Sequence, residues 1–124
     1  MFNSKEDIQH WWQQAWSHST EEFFIQAIKI DSNYIDAHYN LGIVYFRLEE
    51  FDKSIKCYEK AIKIDPNNLD SHNNLGVTFA KLKNFKKAVS CYKKVIEIDP
   101  NNSEAYNNLG IKKFFFKKKQ KKKY

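Results

Sequence analysis

The residues best suited to chemistry in this chain are Asn40, Asn74 and Asn108, which recur at a fixed spacing of 34 residues. A side-chain amide offers both N–H donors and a carbonyl acceptor. A row of such amides could therefore pair with the backbone N–H and C=O groups of an extended peptide, whatever the peptide's sequence. The alternative, that these asparagines are simply solvated as most asparagines are, stays open at this point.

The histidines and cysteines do not form a comparable set. His38 and His72 share the 34-residue spacing, but no cysteine or acid accompanies them at metal-ligand spacing. The glycines are single, so the chain has no phosphate-cradling loop. No nucleophile, base and orienting acid are spaced to come together. We therefore predict that the chain is not an enzyme and has no catalytic residue, no metal site, no cofactor and no small-molecule substrate.

The same 34-residue period organises the whole sequence. Three scarce residue types follow it: glycine at 42, 76 and 110, proline at 66 and 100, and cysteine at 57 and 91. The run Ile-Asp-Pro-Asn-Asn follows it too. The period divides the chain into a degenerate helix pair at 1–34, complete repeats at 35–68 and 69–102, the start of a truncated repeat at 103–110, and a tail at 111–124.

The residues within each period form a recognisable pattern. With Ile35 as position 1, Leu41-Gly42 occupies positions 7 and 8, tyrosines occupy 11 and 24, Ala61 occupies 27 and Pro66 occupies 32. This pattern resembles the tetratricopeptide repeat (TPR) family. The resemblance implies an all-α fold, a right-handed α-solenoid of antiparallel helix pairs, with a helix A and a helix B in each repeat. Ser54 at position 20 is a mild departure.

The apolar spacing places these helices along the chain. It predicts an opening helix at 4–17 that carries three tryptophans, a B helix at 20–31, A helices at 36–48, 70–82 and from 104, and a B helix at 86–97. Asp52 is predicted to cap the first complete B helix. Gly42 is predicted to let helix B approach closely, and Pro66 to stop that helix.

Stacked helix pairs create a concave groove, which is a natural binding surface. The family resemblance implies that the A helices line it and that positions 2, 5, 6, 9, 12 and 13 face the ligand. The predicted groove residues are Asn40, Asn74, Asn108, Tyr39, Asn73, Asn107, Ile43, Val77, Arg47 and Lys81.

Two modes of ligand binding known in the family can be tested against these positions. A carboxylate clamp needs basic residues at positions where this chain has Tyr39, Glu104 and Asn108. Glu104, at position 2 of the last repeat, would repel a carboxylate. The asparagines at position 6 instead resemble the repeats of O-linked N-acetylglucosamine transferases, which also contain sequences such as NNLG and IDPNN. The transferase domain itself is absent from this sequence.

The net charge of +6 comes from the tail. Residues 111–124 contain eight lysines and no acid, which leaves −2 for residues 1–110. Three interpretations of the tail remain open: a solvated terminus, a basic segment for nuclear import or an acidic partner, and a patch that combines three phenylalanines with lysines at a membrane surface. The abrupt end in mid-repeat is also typical of a piece of a longer array or of a misread gene end.

From these patterns we predict a protein–protein interaction scaffold that binds an extended peptide in its groove. The first alternative is a regulatory or substrate-binding TPR fragment of an O-linked N-acetylglucosamine transferase-like protein, and the second is a basic tail module for the nucleus or an acidic membrane. Expected partners are proteins, peptides or further repeats of a longer chain, rather than nucleic acid or membrane. We expect Cys57 and Cys91 to be reduced and unpaired. Reduced cysteines indicate the cytoplasm, with the nucleus as the alternative.

Overall fold

The computed structural model describes residues 18–110, which form six α-helices and no strand in that range. The predictions for residues 4–17 and 111–124 lie outside this range. The helices are α1 (His18–Ile30), α2 (Ile35–Arg47), α3 (Phe51–Ile64), α4 (Leu69–Lys81), α5 (Phe85–Ile98) and α6 (Ser103–Leu109). The all-α prediction is confirmed. Helices α2, α4 and α6 are the A helices of successive repeats, and α1, α3 and α5 are B helices.

The predicted cap of α3 is wrong, and the other helices start or end within two residues of their predicted bounds. Helix α3 starts at Phe51 after the N-cap residue Glu50, whose side chain makes no capping hydrogen bond, so Asp52 lies inside the first turn and is not the cap. There its carboxylate faces the positive end of the helix dipole. In the next repeat Asn84 caps α5, because its side chain accepts a hydrogen bond from the Lys87 N–H at 3.3 Å.

Each B helix ends in the same turn. Asp65 and Asp99 have extended backbones, as residues before proline usually do. The Oδ1 atom of each aspartate accepts a hydrogen bond from the N–H two residues on, at 3.1 Å for Asp65 and 3.2 Å for Asp99. Asp31 makes the same 3.1 Å bond to Asn33, although serine follows it instead of proline. The aspartate therefore forms the turn, and proline is an addition to it.

The described residues divide into two compact units, with the division after Ser71 in the first turn of α4. In the first unit, α2 packs between α1 and α3. Its core consists of Phe23, Phe24, Ala27, Tyr34, Ala37, Leu41, Val44 and Tyr45. The Tyr45 hydroxyl donates a 3.0 Å hydrogen bond to Glu21 Oε1, which ties α2 to α1. In the second unit, α5 packs against α6.

The glycines at position 8 permit close packing of helix A on helix B, as the sequence predicts. A Cβ atom on Gly42 would lie 2.6 Å from Tyr58 Cε1, and one on Gly76 would lie 2.6 Å from Tyr92 Cε1. Both distances are too short for real side chains, so only glycine fits under these rings. Gly110 differs, because it ends α6 in the left-handed conformation at φ 70° with nothing near its would-be Cβ. There the same Leu-Gly pair provides a helix terminus.

Candidate functional site

The asparagines at position 6 lie on three successive A helices but differ in their surroundings. Asn40 on α2 is buried, and its Nδ2 donates a 2.7 Å hydrogen bond to the Asp36 carbonyl one turn earlier. Asn74 on α4 is half-buried, and its backbone carbonyl accepts the Thr78 hydroxyl at 2.8 Å. Asn108 on α6 is exposed. The three asparagines therefore share a position in the repeat but differ in how much of each side chain is exposed to solvent.

In the second unit, two of the predicted residues are in direct contact. Asn108 Nδ2 donates a hydrogen bond to Asn73 Oδ1 at 3.0 Å, which joins α6 to α4. Asn73 is buried, whereas Asn107, which directly precedes Asn108 on α6, is exposed. We call Asn73, Asn74, Asn107 and Asn108 the amide cluster. The sequence places these four residues on A helices, but it does not reveal the 73–108 bond, because that bond links position 5 of one repeat to position 6 of the next.

The remaining predicted residues extend along α2 and α4 at intervals of four, so they share a helix face with their neighbours. On α2, Tyr39 and Ile43 are half-buried and Arg47 is exposed. The Tyr39 ring lies 6.0 Å from the Tyr58 ring at an angle of 50°. On α4, Val77 is half-buried and Lys81 is exposed. Helices α2 and α4 thus each carry an apolar side chain near the middle and a cation at the end.

The side chains at position 4 of the repeats, His38 and Tyr106, have a structural role. His38 Nε2 makes a 2.8 Å hydrogen bond with the Ser32 carbonyl, so this nitrogen carries the proton. In the second unit, the Tyr106 hydroxyl donates to the Pro100 carbonyl at 3.0 Å. Both bonds span six residues and fasten the start of an A helix to the turn before it.

Within residues 18–110, no three His, Cys, Asp or Glu side chains are grouped so that they could hold a metal ion.

Two ionisable groups in the first unit, the half-buried Cys57 and the buried Tyr45, are held in their neutral forms. Burial raises the pKa of the Cys57 thiol to about 12. Burial, followed by the hydrogen bond to Glu21, raises the pKa of Tyr45 to about 12. A thiol that stays protonated at neutral pH is a poor nucleophile, so Cys57 packs as a small apolar side chain. Both cysteines are free thiols.

Among the described helices, none combines the length and the apolar character that a bilayer crossing requires. The longest have 14 residues and carry several lysines.

Comparison with known proteins agrees with this geometry. Models of the tetratricopeptide repeat match residues 35–68 and 69–102, and a second model of this repeat matches residues 91–121. A crystal structure of MamA is 25% identical, with a TM-score of 0.73, over 84% of this chain and 70% of MamA. The first TPR domain of Spaghetti (RPAP3), bound to the HSP90 peptide SRMEEVD, is 22% identical with a TM-score of 0.73 over 85% of this chain and 83% of that one.

A curated relative is similar over a shorter stretch. A probable UDP-N-acetylglucosamine–peptide N-acetylglucosaminyltransferase, SPINDLY from Oryza sativa subsp. japonica, is 46% identical over 37 residues, or 30% of this chain. The chain spans only 4% of that relative's length. The predicted likeness to the repeats of such transferases is confirmed for this stretch. With two complete repeats matched and a helix-pair structure to accompany them, the chain belongs to the tetratricopeptide repeat family, whose fold serves as a protein-binding scaffold.

Proposed function

We propose that this chain binds an extended polypeptide segment along its A helices and holds the backbone of that segment with side-chain amides. The observation that carries the proposal is the amide cluster of the second unit, in which Asn73 and Asn108 come within hydrogen-bond distance and Asn107 and Asn108 remain exposed. Side-chain amides are polar, uncharged and able both to donate and to accept hydrogen bonds.

The internal hydrogen bonds indicate which atoms would meet the ligand. The Nδ2 atoms of Asn40 and Asn108 already donate to Asp36 and Asn73. Their Oδ1 atoms can therefore accept N–H groups from a peptide backbone. An internally anchored amide is also pre-organised, so less side-chain freedom is lost when a ligand binds. Such contacts would be similar for ligands of different sequence, since every residue except proline carries a backbone N–H.

Side-chain preference would come from the residues that flank each amide on its own helix. On α2, Tyr39 and Ile43 offer half-buried apolar surface and Arg47 offers exposed positive charge. On α4, Val77 and Lys81 offer the same two features. We therefore expect a preference for peptides with an apolar residue near an acidic one. A peptide is the ligand to test first, because the structural neighbour Spaghetti carries a bound peptide on the same fold. We propose proteins or peptides as the partners of this site, and no small-molecule substrate or cofactor.

The experiment begins with the full chain and a random peptide library, from which two binders of unrelated sequence are selected. Their affinities are then measured for the wild type, Asn74→Ala and Asn108→Ala. Each substitution should weaken both peptides by about 0.5–1.5 kcal/mol, the usual net value of one hydrogen bond. Asn67→Ala is the matched control, because Asn67 is an exposed asparagine in a turn outside the A helices.

The outcomes separate backbone binding from its alternatives. A loss confined to one peptide would show side-chain readout and would remove the amide mechanism. Unchanged affinity for both peptides would leave the asparagines as solvated residues of the repeat. Substituting Arg47 or Tyr39 should change which of the two peptides is preferred, since these side chains are expected to meet the ligand's side chains.

A second candidate function is supported by the 46% identity over 37 residues with SPINDLY. In this alternative the repeats are the substrate-binding part of a larger N-acetylglucosaminyltransferase-like protein. The test is to sequence the full transcript and to assay its product for transfer of N-acetylglucosamine to protein. A catalytic domain in the same reading frame would favour this alternative, and a transcript that encodes repeats alone would exclude it.

A further inference from the structure

The exposed apolar side chains of the second unit are concentrated at the start of α5. Phe85 is 61% exposed, Leu82 45% and Val89 36%. Phe85 and Val89 are four residues apart, so they lie on one face of α5, and Leu82 is in the short turn that precedes this helix. We call Leu82, Phe85 and Val89 the apolar patch. Exposed apolar side chains that lie together, unlike single ones, can mark an interaction surface.

The first repeat shows what these side chains do when they are covered. Leu48, Phe51 and Ile55 occupy the equivalent positions and are all at least half-buried. Leu48 packs against the core of the first unit, and the Phe51 ring lies edge-on to Phe46 with 5.4 Å between ring centres. The second repeat has Ala80 where the first has Phe46. Phe85 therefore lacks the aromatic neighbour that Phe51 has.

The shortness of α6 contributes to the exposure. Helix α5 has 14 residues and α6 has seven, which correspond to lengths of roughly 21 Å and 10 Å. Since α6 follows α5 through a short turn and packs against it, α6 covers the C-terminal half of α5. Phe85 and Val89 are in the N-terminal half.

The charges around the apolar patch are reversed between the two repeats. Lys83, Lys86 and Lys93 are close to the patch, because Lys86 follows Phe85 directly and Lys93 is one turn beyond Val89. The equivalent residues in the first repeat are Glu49, Asp52 and Glu59. All six side chains are exposed. Three acids at these positions have thus been replaced by three lysines, at sites where neither repeat needs a particular charge for packing.

We propose that the apolar patch and its three lysines form a second binding surface, which takes an acidic amphipathic segment of a partner protein. The apolar side chains of such a segment would cover Phe85 and Val89, and its carboxylates would face Lys83, Lys86 and Lys93. This surface is on a B helix and is therefore separate from the amide cluster on the A helices.

Charge complementarity selects this occupant over the chain's own tail. Residues 111–124 carry eight lysines and no acid, so they would bring positive charge against positive charge. A helix-bearing partner also suits a family of protein-binding scaffolds, and α5 presents the i, i+4 spacing that a partner helix can follow.

The test uses the full chain and a fluorescent, glutamate-rich helical peptide of about 18 residues with leucines at i, i+4 spacing, a length at which an isolated helix can form. The key variant, K83E/K86D/K93E, gives the second repeat the charges of the first. It should weaken binding by about tenfold or more, and added salt should weaken the wild-type complex. Phe85→Ala should weaken binding by about tenfold, because it removes exposed apolar surface. Circular dichroism verifies that both variants fold.

The control variant is K56E/K60E/K63E, which alters three exposed lysines of the first unit and changes the net charge equally. Its affinity should stay within a few-fold of the wild type when the surface is specific, and an equal loss would overturn the proposal. So would loss of binding on truncation after Gly110, which would place the site in the tail. Asn67→Ala, which alters an exposed turn residue outside both proposed surfaces, should leave this binding unchanged.

Two further measurements address other occupants. Concentration-dependent self-association that is abolished by K83E/K86D/K93E would identify a second copy as the partner. Binding to phosphatidylserine vesicles or to oligouridine, with no binding of the acidic peptide, would identify an anionic surface or nucleic acid. Either result would overturn the proposal of an acidic protein segment.

Discussion

Asn108 on α6 donates a 3.0 Å side-chain hydrogen bond to Asn73 on α4, 35 residues earlier in the chain. The acceptor is buried and the donor is exposed. This bond spans two A helices of the second unit without involving the B helix between them in sequence. It therefore links Asn108, a proposed peptide-binding residue, to the packing of the short helix α6.

The first prediction concerns this bond. Asn108→Ala should lower the free energy of unfolding by about 0.5–1.5 kcal/mol, because the buried Asn73 oxygen loses its donor. Asn107→Ala, which alters the exposed neighbour, is the control and should have little effect. Urea unfolding of both variants, of Asn73→Ala and of the double variant gives the coupling energy between the two amides. A coupling energy of zero would mean that the bond does not contribute in solution.

The second prediction contrasts two glycines that share a sequence motif. Gly42→Ala should destabilise the protein by about 1–3 kcal/mol, because the new Cβ would collide with the buried Tyr58 ring. Gly110→Ala should cost about 1 kcal/mol for a different reason, its φ of 70°. Asparagine distinguishes the two causes, since it tolerates left-handed backbone. Gly110→Asn should be close to wild type, and Gly42→Asn should be worse than Gly42→Ala. Thermal unfolding measures all four variants.

The third prediction concerns two buried serines whose replacement by alanine should have opposite effects. Ser54 Oγ donates a 2.7 Å hydrogen bond to the Gly42 carbonyl, so Ser54→Ala should lower stability by about 0.5–1.5 kcal/mol. Ser71 Oγ is buried without a hydrogen-bond partner in the described structure. The equivalent residues Ala37 and Ala105 are fully buried alanines. Ser71→Ala should therefore raise stability by about 1 kcal/mol. Denaturant midpoints that fall for both variants would contradict the assignment for Ser71.

The fourth prediction concerns the reactivity of Cys57. Its pKa of about 12 exceeds the ordinary value of 9.0, so at pH 8 the thiolate fraction should be about a thousandfold smaller than for a free cysteine. In a Cys91→Ser background, alkylation of the folded protein should be slower by a similar factor and should recover in denaturant. Because the folded pKa is raised, this group's contribution to stability is complete below pH 9 and falls as the pH rises from 9 toward 12. Rapid labelling of the folded protein at pH 8 would contradict the burial.

Sequence spacing was sufficient to predict the helices, because each A and B helix repeats its apolar residues at the same positions. The close approach over Gly42 and Gly76 also followed from the residue type. The cap of α3 did not, since Asp52 and Glu50 are both acceptable acids near the helix start and only the backbone shows which precedes the first turn.

The candidate site was predictable in part. The period fixed which residues lie on A helices, yet Asn40, Asn74 and Asn108 have different exposures that the shared position does not convey. Their surroundings depend on neighbours that vary between repeats, such as Asn73 opposite Asn108. The roles assigned to these residues as peptide ligands remain predictions.

The matching contacts of Tyr58 with Gly42 and of Tyr92 with Gly76, both at 2.6 Å from the would-be Cβ, make the two helix pairs interchangeable parts. If a B helix were exchanged between the two repeats, its tyrosine ring would again pack over a glycine of the A helix. Such a graft would carry the exposed lysines of α5, or the acids of α3, to another place along the array. The scaffold can thus relocate a surface without a redesigned core, which makes the order of its repeats a means of engineering new binding partners.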